Sequence, residues 1–128
     1  MVTLEEARRV IEAAERKASE MGHPMNIAVV DEGGNLVSHV RMDGAWIGSI
    51  DISINKAYTS RAFDISTKDL AQYSQSGGQF FGIHVSNHGR VMVFAGGIPL
   101  TREWESARRR GSERRFRGTG SRCSGSWR

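Results

Sequence analysis

The first twenty residues alternate apolar and polar side chains with the period of an α-helix. Residues from about Leu4 to Met21 are therefore predicted to form an amphipathic helix. Thr3 and Glu6 have the spacing of a capping box, in which each side chain hydrogen-bonds the backbone amide of the other residue. Gly22 and Pro24 are typical of the end of a helix. The predicted buried face consists of Leu4, Ala7, Val10, Ile11, Ala14 and Ala18.

A β-hairpin is predicted directly after this helix. Residues 27–30 are apolar on both faces, which is typical of a central strand covered on each side. The sequence Asp-Glu-Gly-Gly-Asn at 31–35 supplies a turn, because glycine readily adopts positive φ. Leu36–Val40 then returns as an antiparallel strand, and the polar residues 41–44 form a corner after it.

Two more helices are predicted after the corner. From Trp46 to Phe63, apolar residues again recur at helical spacing, and we expect this helix to pack on the hairpin. Ser66 can start a third, short helix that Gly77 and Gly78 end. The apolar stripe of the second helix consists of Ile47, Ile50, Ile54, Ala57 and Tyr58.

The remaining pattern predicts a second hairpin, with strands over Phe81–Val85 and Val91–Ala95 joined by residues 86–90. The order of helix, two strands, two helices and two strands indicates the α+β class rather than a parallel sheet. We expect a four-stranded antiparallel sheet with the helices packed on it. Residues 1–100 form one domain in this interpretation, since 128 residues suit one modest core.

The net charge of +4 is unevenly distributed along the chain. Residues 1–100 carry nine Lys or Arg and eleven Asp or Glu, a balance of −2. Residues 101–128 carry nine Arg, no Lys and three Glu, a balance of +6, and the apolar periodicity is lost there. We therefore expect residues 101–128 to be an irregular, Arg-rich tail.

The composition of the chain also indicates in which cellular compartment the protein resides. The sequence has no run of about 18 apolar residues that could span a bilayer, and its acidic start is unlike a secretory signal. We expect a cytoplasmic protein without a membrane partner. Cys123 is the single cysteine, which excludes an internal disulfide and a multi-cysteine metal site.

Four motifs stand out in the first hundred residues. They are Ala28-Val29-Val30-Asp31-x-Gly33-Gly34-x-Leu36, Arg41-Met42-Asp43-Gly44-Ala45, Lys56-Ala57-x-Thr59 and Phe94-Ala95-Gly96-Gly97-Ile98-Pro99. Together they resemble the motifs of the GlcG/HbpS family, a group of small haem-binding or glycolate-operon proteins. This family also forms the C-terminal domain of PduO-type corrinoid adenosyltransferases and stands alone in glycerol and diol utilisation operons.

The resemblance implies a profilin-like fold with a five-stranded antiparallel sheet, assembled as a dimer or larger homo-oligomer. It also implies that the family strand and helix that follow Pro99 are missing from this sequence. We hypothesise that residues 101–128 are a frameshifted product, because reading the codons from Arg102 onward one nucleotide out of phase could restore a Gly- and Val-rich strand. Loss of that strand would leave an open sheet edge and a chain prone to aggregate.

Arg41, Asp43, Lys56 and Thr59 are the candidate ligand-binding residues. The corner that bears Arg41 and Asp43 leads directly into the helix that bears Lys56, and the family pattern keeps these residue types together. A structural interpretation stands beside this one: Asp43 can cap the segment before the helix and Arg41 can form an ion pair. For Thr59, which lies within about one helical turn of Lys56, the structural interpretation is favoured.

His23 is the candidate axial ligand of haem, the cofactor that the resemblance implies. Its loop leaves the imidazole free, and His is among the residues that ligate haem iron. A lone loop histidine is also commonly just solvated. His84 and His88 are four residues apart, but His84 lies in a predicted strand and His88 in the turn after it rather than on a helix, so we predict no metal site there.

Catalysis by side chains is not supported, because the sequence has no nucleophile elbow and no phosphate-binding glycine loop. The resemblance implies that family members that degrade haem rely on the bound iron.

The predicted function is a small-ligand or haem-binding accessory protein of a bacterial glycerol, diol or glycolate utilisation pathway. An alternative is a structural or interaction module that assists a corrinoid-dependent dehydratase or adenosyltransferase without haem. A third is nucleic-acid binding through the tail, where arginines alternate with Trp104, Phe116 and Trp127. An out-of-frame reading explains the basic tail and its lack of lysine better than nucleic-acid binding does.

Overall fold

Two helices lie on opposite faces of a small antiparallel sheet in the computed structural model, which describes residues 2–100 and the backbone of residues 120–125. The architecture is α+β, as predicted. The strands follow the order β2-β1-β4-β3 across the sheet. The elements are α1 (Leu4–Met21), β1 (Asn26–Val30), β2 (Leu36–Arg41), α2 (Gly48–Phe63), α3 (Thr67–Tyr73), β3 (Gly97–Leu100) and β4 (Gly120–Gly125).

Both ends of α1 are fixed by the predicted capping groups. The Thr3 hydroxyl accepts a hydrogen bond from the Glu6 amide at 3.1 Å, and the Glu6 carboxylate accepts one from the Thr3 amide at 3.1 Å. Gly22 adopts a left-handed conformation with φ of 70°, and its amide donates to the carbonyls of Ala18 and Ser19. The bounds predicted for this helix are confirmed.

β1 is the buried strand around which the core forms. All five of its residues are buried, and it pairs with β2 on one side and β4 on the other. Ile27 and Val29 pack against Ala7 and Ile11 of α1, whereas the alternate residues of β1 face α2. A central strand covered on both faces is confirmed. On the other face of β1, Ala28 and Val30 form a second core cluster with Ala57 of α2.

The hairpin turn is held by one carboxylate. Asp31 Oδ1 accepts hydrogen bonds from the amides of Gly33 and Asn35, both at 2.9 Å. Gly34 has φ of +76°, and a Cβ there would lie 3.1 Å from the Tyr58 ring of α2. Glycine is therefore required both by the turn and by the close approach of α2.

The buried residues of α2 include only one member of its predicted apolar stripe, Ala57, which is fully buried. Ile54 packs against the cluster on β1, but Ile47 is 76% exposed. Most of the buried residues of α2 are small or polar, which allows the helix to lie close to the sheet and over β4. These buried residues are Ser49, Ser53, Asn55, Lys56, Ala57, Thr59 and Ser60.

The predicted second hairpin is wrong. Residues 83–85 and 87–89 form two short 3₁₀ turns, and the segment 91–95 lies outside any strand. Gly82, with φ of 98°, and the adjacent pair Asn87 and His88, with φ of 52° and 59°, interrupt the extended backbone that a strand needs. The β-propensity of the aromatic and β-branched residues in this segment is overridden by these left-handed positions.

The sheet instead takes two strands from later in the chain. β3 begins at Gly97, and β4 lies between β1 and β3, so that Cys123 pairs with Ala28 on one side and with Gly97 on the other. The expected irregular tail thus contributes a strand at 120–125, and its remaining residues lie outside the described part. The frameshift hypothesis for residues 101–128 stays a prediction. None of the helices in the described residues is both long and apolar enough to cross a membrane.

Candidate functional site

The polar corner after β2 is a folded turn rather than an extended linker. The Met42 amide donates to the Met25 carbonyl at 3.0 Å, and the Ala45 amide donates to the Met42 carbonyl at 3.0 Å. Gly44 has φ of +84°. The corner is therefore anchored to the loop between α1 and β1, and it presents the side chains of residues 41–43 toward α1.

These side chains line an open pocket of about 400 Å³. Arg41 donates through Nη1 to the Ala45 carbonyl at 3.3 Å, which leaves its other N–H groups available. In the described part of the chain, Arg41 forms no ion pair with Glu15 or Asp43, although both carboxylates share the pocket with it. The lining consists of Glu15, Val40, Arg41, Met42 and Asp43.

Charges of both signs, unpaired among the residues that the structure describes, give this pocket a defined binding chemistry. A guanidinium with free N–H groups binds carboxylate or phosphate oxygens, often with two parallel hydrogen bonds. The carboxylates of Glu15 and Asp43 accept hydrogen bonds from hydroxyl or ammonium groups. The structure thus brings Arg41 and Asp43 together, as predicted, and adds Glu15.

His23 is exposed on the loop that packs against this corner. Its neighbour Pro24 lies against Gly44, where a Cβ would be 3.7 Å from the Pro24 ring. The Met25 carbonyl accepts from the Met42 amide, and the Met25 amide donates to Met42 Sδ at 3.4 Å. The described part of the chain places no hydrogen bond on the His23 imidazole, so this ring is available to a ligand.

Lys56 is fully buried in α2 rather than displayed in the pocket. Its ammonium donates to the Ala95 carbonyl at 2.9 Å and lies 4.0 Å from the centroid of the Phe94 ring. These contacts join the middle of α2 to the segment that leads into β3.

Thr59 has the same anchoring role one turn further along α2. Its hydroxyl oxygen lies 2.7 Å from the Asn55 carbonyl and 3.2 Å from the Arg90 carbonyl, and it accepts a hydrogen bond from the Met92 amide at 3.0 Å. Neither Lys56 nor Thr59 belongs to the lining of the pocket. The convergence of all four predicted residues on one site is therefore not observed.

His39 occupies a different environment from the other histidines. It lies on β2 opposite Ala28, and its Nε2 is buried without a hydrogen-bond partner in the described residues. Burial lowers the pKa of this imidazole below its usual 6.5, because the charged form is poorly solvated there. His84 and His88 are exposed in the two 3₁₀ turns. No cluster of three or more metal-ligating side chains occurs among the described residues.

Two contacts were not predicted from the sequence: Glu15 lines the pocket, and the Phe94 ring lies against the Lys56 ammonium. Glu15 is one of several polar residues on α1, and nothing in its spacing marks it as facing the corner. Phe94 stood in a predicted strand, so its contact with Lys56 was not expected. A long-range contact between a helix and an irregular segment leaves no periodic signal in a single sequence.

Comparison with known proteins gives these features a family context. The family model described as "Haem degrading protein HbpS-like" matches residues 2–106. An uncharacterised 15.0 kDa protein from the dhaT-dhaS intergenic region of Citrobacter freundii is 38% identical over 99 residues, which are 77% of this chain and 70% of that protein. The corrinoid adenosyltransferase PduO of C. freundii is 30% identical over 102 residues, 80% of this chain, which spans 30% of PduO.

Solved structures share the fold. Klebsiella pneumoniae protein ORFY has a TM-score of 0.84 at 29% identity, with 98% of this chain and 79% of that chain covered. A PduOC–haem complex superposes with a TM-score of 0.78 at 22% identity, over 94% of this chain and 79% of the other. A double mutant of Streptomyces reticuli HbpS has a TM-score of 0.74 at 25% identity, over 98% of this chain and 74% of the other. The chain belongs to the HbpS-like family.

Proposed function

We propose that this chain is a haem-binding accessory protein of a bacterial glycerol, diol or glycolate utilisation pathway, acting in the cytoplasm. The observation that carries the proposal is the match of residues 2–106 to a family described as haem-degrading. The similarity to PduO and to the dhaT-dhaS region protein supports the pathway assignment. We also propose the profilin-like arrangement and a homo-oligomeric state for the intact protein.

The residues around the corner fit the chemistry of haem. Haem needs an axial ligand for its iron, apolar contacts for its ring and cationic partners for its propionates. His23 offers an exposed imidazole without a hydrogen bond in the described residues, and Val40 and Met42 offer half-buried apolar surface. Arg41 offers free N–H groups. When bound, haem supplies the iron centre for redox or oxygen chemistry.

Each of these residues has one role in the proposal. His23 would ligate the iron through an imidazole nitrogen, and Arg41 would bind a propionate through charge-assisted hydrogen bonds. The Ala45 carbonyl orients the guanidinium of Arg41, and the carboxylates of Asp43 and Glu15 would bind polar groups of the ligand at the rim of the pocket. Lys56 and Thr59 act indirectly, by fixing α2 and the segment 90–95.

A hemin titration tests the proposal. We expect a saturable Soret shift with the wild-type chain, and a weakened or lost shift in His23→Ala. His88→Ala is the matched control, since His88 is also exposed but lies in a 3₁₀ turn rather than in the loop beside the corner; neither histidine lines the pocket itself. A wild-type protein that gives no saturable shift contradicts haem binding. A shift that is unchanged in His23→Ala removes His23 as the ligand but leaves haem binding intact.

The similarity to PduO favours a second candidate function. In this alternative, the chain is an interaction module that assists a corrinoid-dependent dehydratase or adenosyltransferase without haem. Calorimetry with a purified adenosyltransferase and with the dehydratase distinguishes the two candidates. Saturable binding to either enzyme by a protein that does not bind hemin supports the module, and hemin binding without such an interaction supports the first proposal.

A further inference from the structure

Two of the residues that line the pocket beside the corner are apolar and are held by the surrounding fold. Val40 packs against the core cluster between α1 and β1, and the Met42 thioether accepts a hydrogen bond from the Met25 amide at 3.4 Å. Both side chains are half-buried, and the other three lining residues are charged. A ligand that fills the pocket therefore needs an apolar body as well as polar groups.

The charged part of the lining consists of one cation and two anions. Arg41 shares the cavity with Glu15 and Asp43, but among the described residues its guanidinium forms no ion pair with either carboxylate. In the same part of the chain, neither carboxylate has a hydrogen-bond partner. Opposite charges that line one cavity without touching leave room between them for a ligand that carries both charges.

A ligand with a carboxylate alone would use only the cationic part of this lining. It would accept hydrogen bonds from Arg41 but would bring no donor for Glu15 and Asp43. An ammonium group supplies three N–H donors and offsets the excess negative charge of the lining. The cavity of about 400 Å³ lies within the usual range for small-molecule sites, about 300–1,000 Å³.

We propose that this pocket binds the zwitterion of an α-amino acid with an aliphatic side chain. Arg41 would bind the carboxylate of the amino acid through two parallel hydrogen bonds, and Glu15 and Asp43 would bind its ammonium group. Its aliphatic side chain would pack on Val40 and Met42.

One part of this inference rests on the proposed function. An amino acid that occupies the guanidinium of Arg41 would compete with a haem propionate for the same hydrogen bonds. The amino acid would therefore regulate haem binding at this site. Binding of the amino acid itself does not require haem.

Isothermal titration calorimetry of the full chain with L-leucine and two smaller analogues tests the inference. Isocaproate is leucine without the ammonium group, isopentylamine is leucine without the carboxylate, and all three share one aliphatic body. We expect saturable binding of leucine and roughly tenfold weaker binding of each analogue, because each analogue loses hydrogen bonds between charged groups. Leucine should also raise the hemin concentration needed for half-saturation.

Variants of the lining assign the two ends of the ligand. Arg41→Gln should weaken leucine and isocaproate by about tenfold each. Glu15→Gln should weaken leucine but not isocaproate, which has no ammonium group, whereas a distorted pocket would weaken both. Glu12→Gln is the matched control, since Glu12 is an exposed glutamate of α1 that does not line the pocket.

Three outcomes overturn the inference. The absence of saturable leucine binding eliminates the amino-acid site, whether or not the chain binds hemin. Equal affinities for leucine and both analogues show that only the apolar body is recognised. Saturating leucine that leaves the hemin titration unchanged shows that the two ligands do not share Arg41. Saturable leucine binding by a chain that gives no Soret shift supports the amino-acid site and contradicts only the proposed function.

Discussion

At the scale of single residues, glycine determines how closely α2 approaches the sheet. Gly97, at the start of β3, lies against the middle of the helix, and its amide donates to Thr67 Oγ1 at 2.8 Å. A Cβ there would be 2.7 Å from the Lys56 carbonyl oxygen and 2.9 Å from Ser60 Oγ. The family motif around residues 94–99 thus includes a glycine that is required by packing.

Gly97→Ala should lower the free energy of unfolding by about 1–3 kcal/mol, because the methyl group overpacks against backbone atoms that cannot move easily. Urea denaturation followed by circular dichroism measures the change. Gly48→Ala is the control, since nothing lies within 4 Å of a Cβ at Gly48. Equal stability of the two variants would show that α2 can shift without cost.

His39 should make stability depend on pH. Its pKa is lowered by burial in the folded state, so the unfolded chain takes up a proton more readily. Stability is therefore complete above the unfolded pKa of 6.5 and falls as the pH drops from there toward the lower folded pKa. Urea midpoints at several pH values should decline more steeply below pH 6.5 in the wild type than in His39→Phe. Parallel declines would show that other groups account for the pH dependence.

The candidate site could be predicted from the sequence only in part, and the reason differs for each residue. Arg41 and Asp43 share a short corner, so their proximity follows from local chain geometry. Lys56 is buried against Ala95, a contact between residues far apart in the sequence. Such a contact depends on how α2 is rotated on the sheet, and the isoleucine stripe indicated the wrong rotation.

At the scale of elements, the sequence predicted correctly those helix ends that are fixed by contacts between residues close in the sequence. Thr3, Glu6 and Gly22 fix α1 through contacts within a few residues, so its bounds were correct. The strands predicted over 81–85 and 91–95 failed because propensity cannot report the left-handed residues at positions 82, 87 and 88. β3 and β4 were missed since a strand of Gly, Ser and Pro has little β-propensity and is stabilised by its neighbours.

Thr59 joins α2 to the segment 90–92, a contact that was not predicted from the sequence. Thr59→Val removes the acceptor of the Met92 amide while keeping the side-chain shape. We expect a loss of about 1 kcal/mol in the free energy of unfolding, the cost of leaving the partly buried Met92 amide unpaired. Hydrogen exchange should also show faster exchange at residues 90–95. Thr59→Ser, which keeps the hydroxyl, should lie close to the wild type, and a loss as large as that of valine would point to packing instead.

At the scale of the whole molecule, the sheet depends on a strand from the Arg-rich part of the sequence. β4 pairs with both β1 and β3, so β3 has no other strand to join in the described sheet. Removal of residues 101–128 would expose one full edge of β1 and the underside of α2 to water.

A chain truncated after Leu100 should therefore lose its cooperative thermal transition, because both β3 and one side of α2 lose their partner. Differential scanning calorimetry measures this directly. An unchanged midpoint would show that residues 101–128 are dispensable and would agree with the proposal that they are a frameshifted tail. Sequencing the coding DNA tests that proposal independently: it fails if no shift of one base restores a Gly- and Val-rich strand.

The position of β4 between β1 and β3 also has a consequence for biosynthesis. β1 leaves the ribosome early, but its second hydrogen-bonding partner is separated from it by most of the chain. Pairings between such distant segments form slowly. During translation, the edge of β1 that pairs with β4 stays without its partner until residues 120–125 emerge, so we expect the nascent chain to be prone to aggregate in that interval.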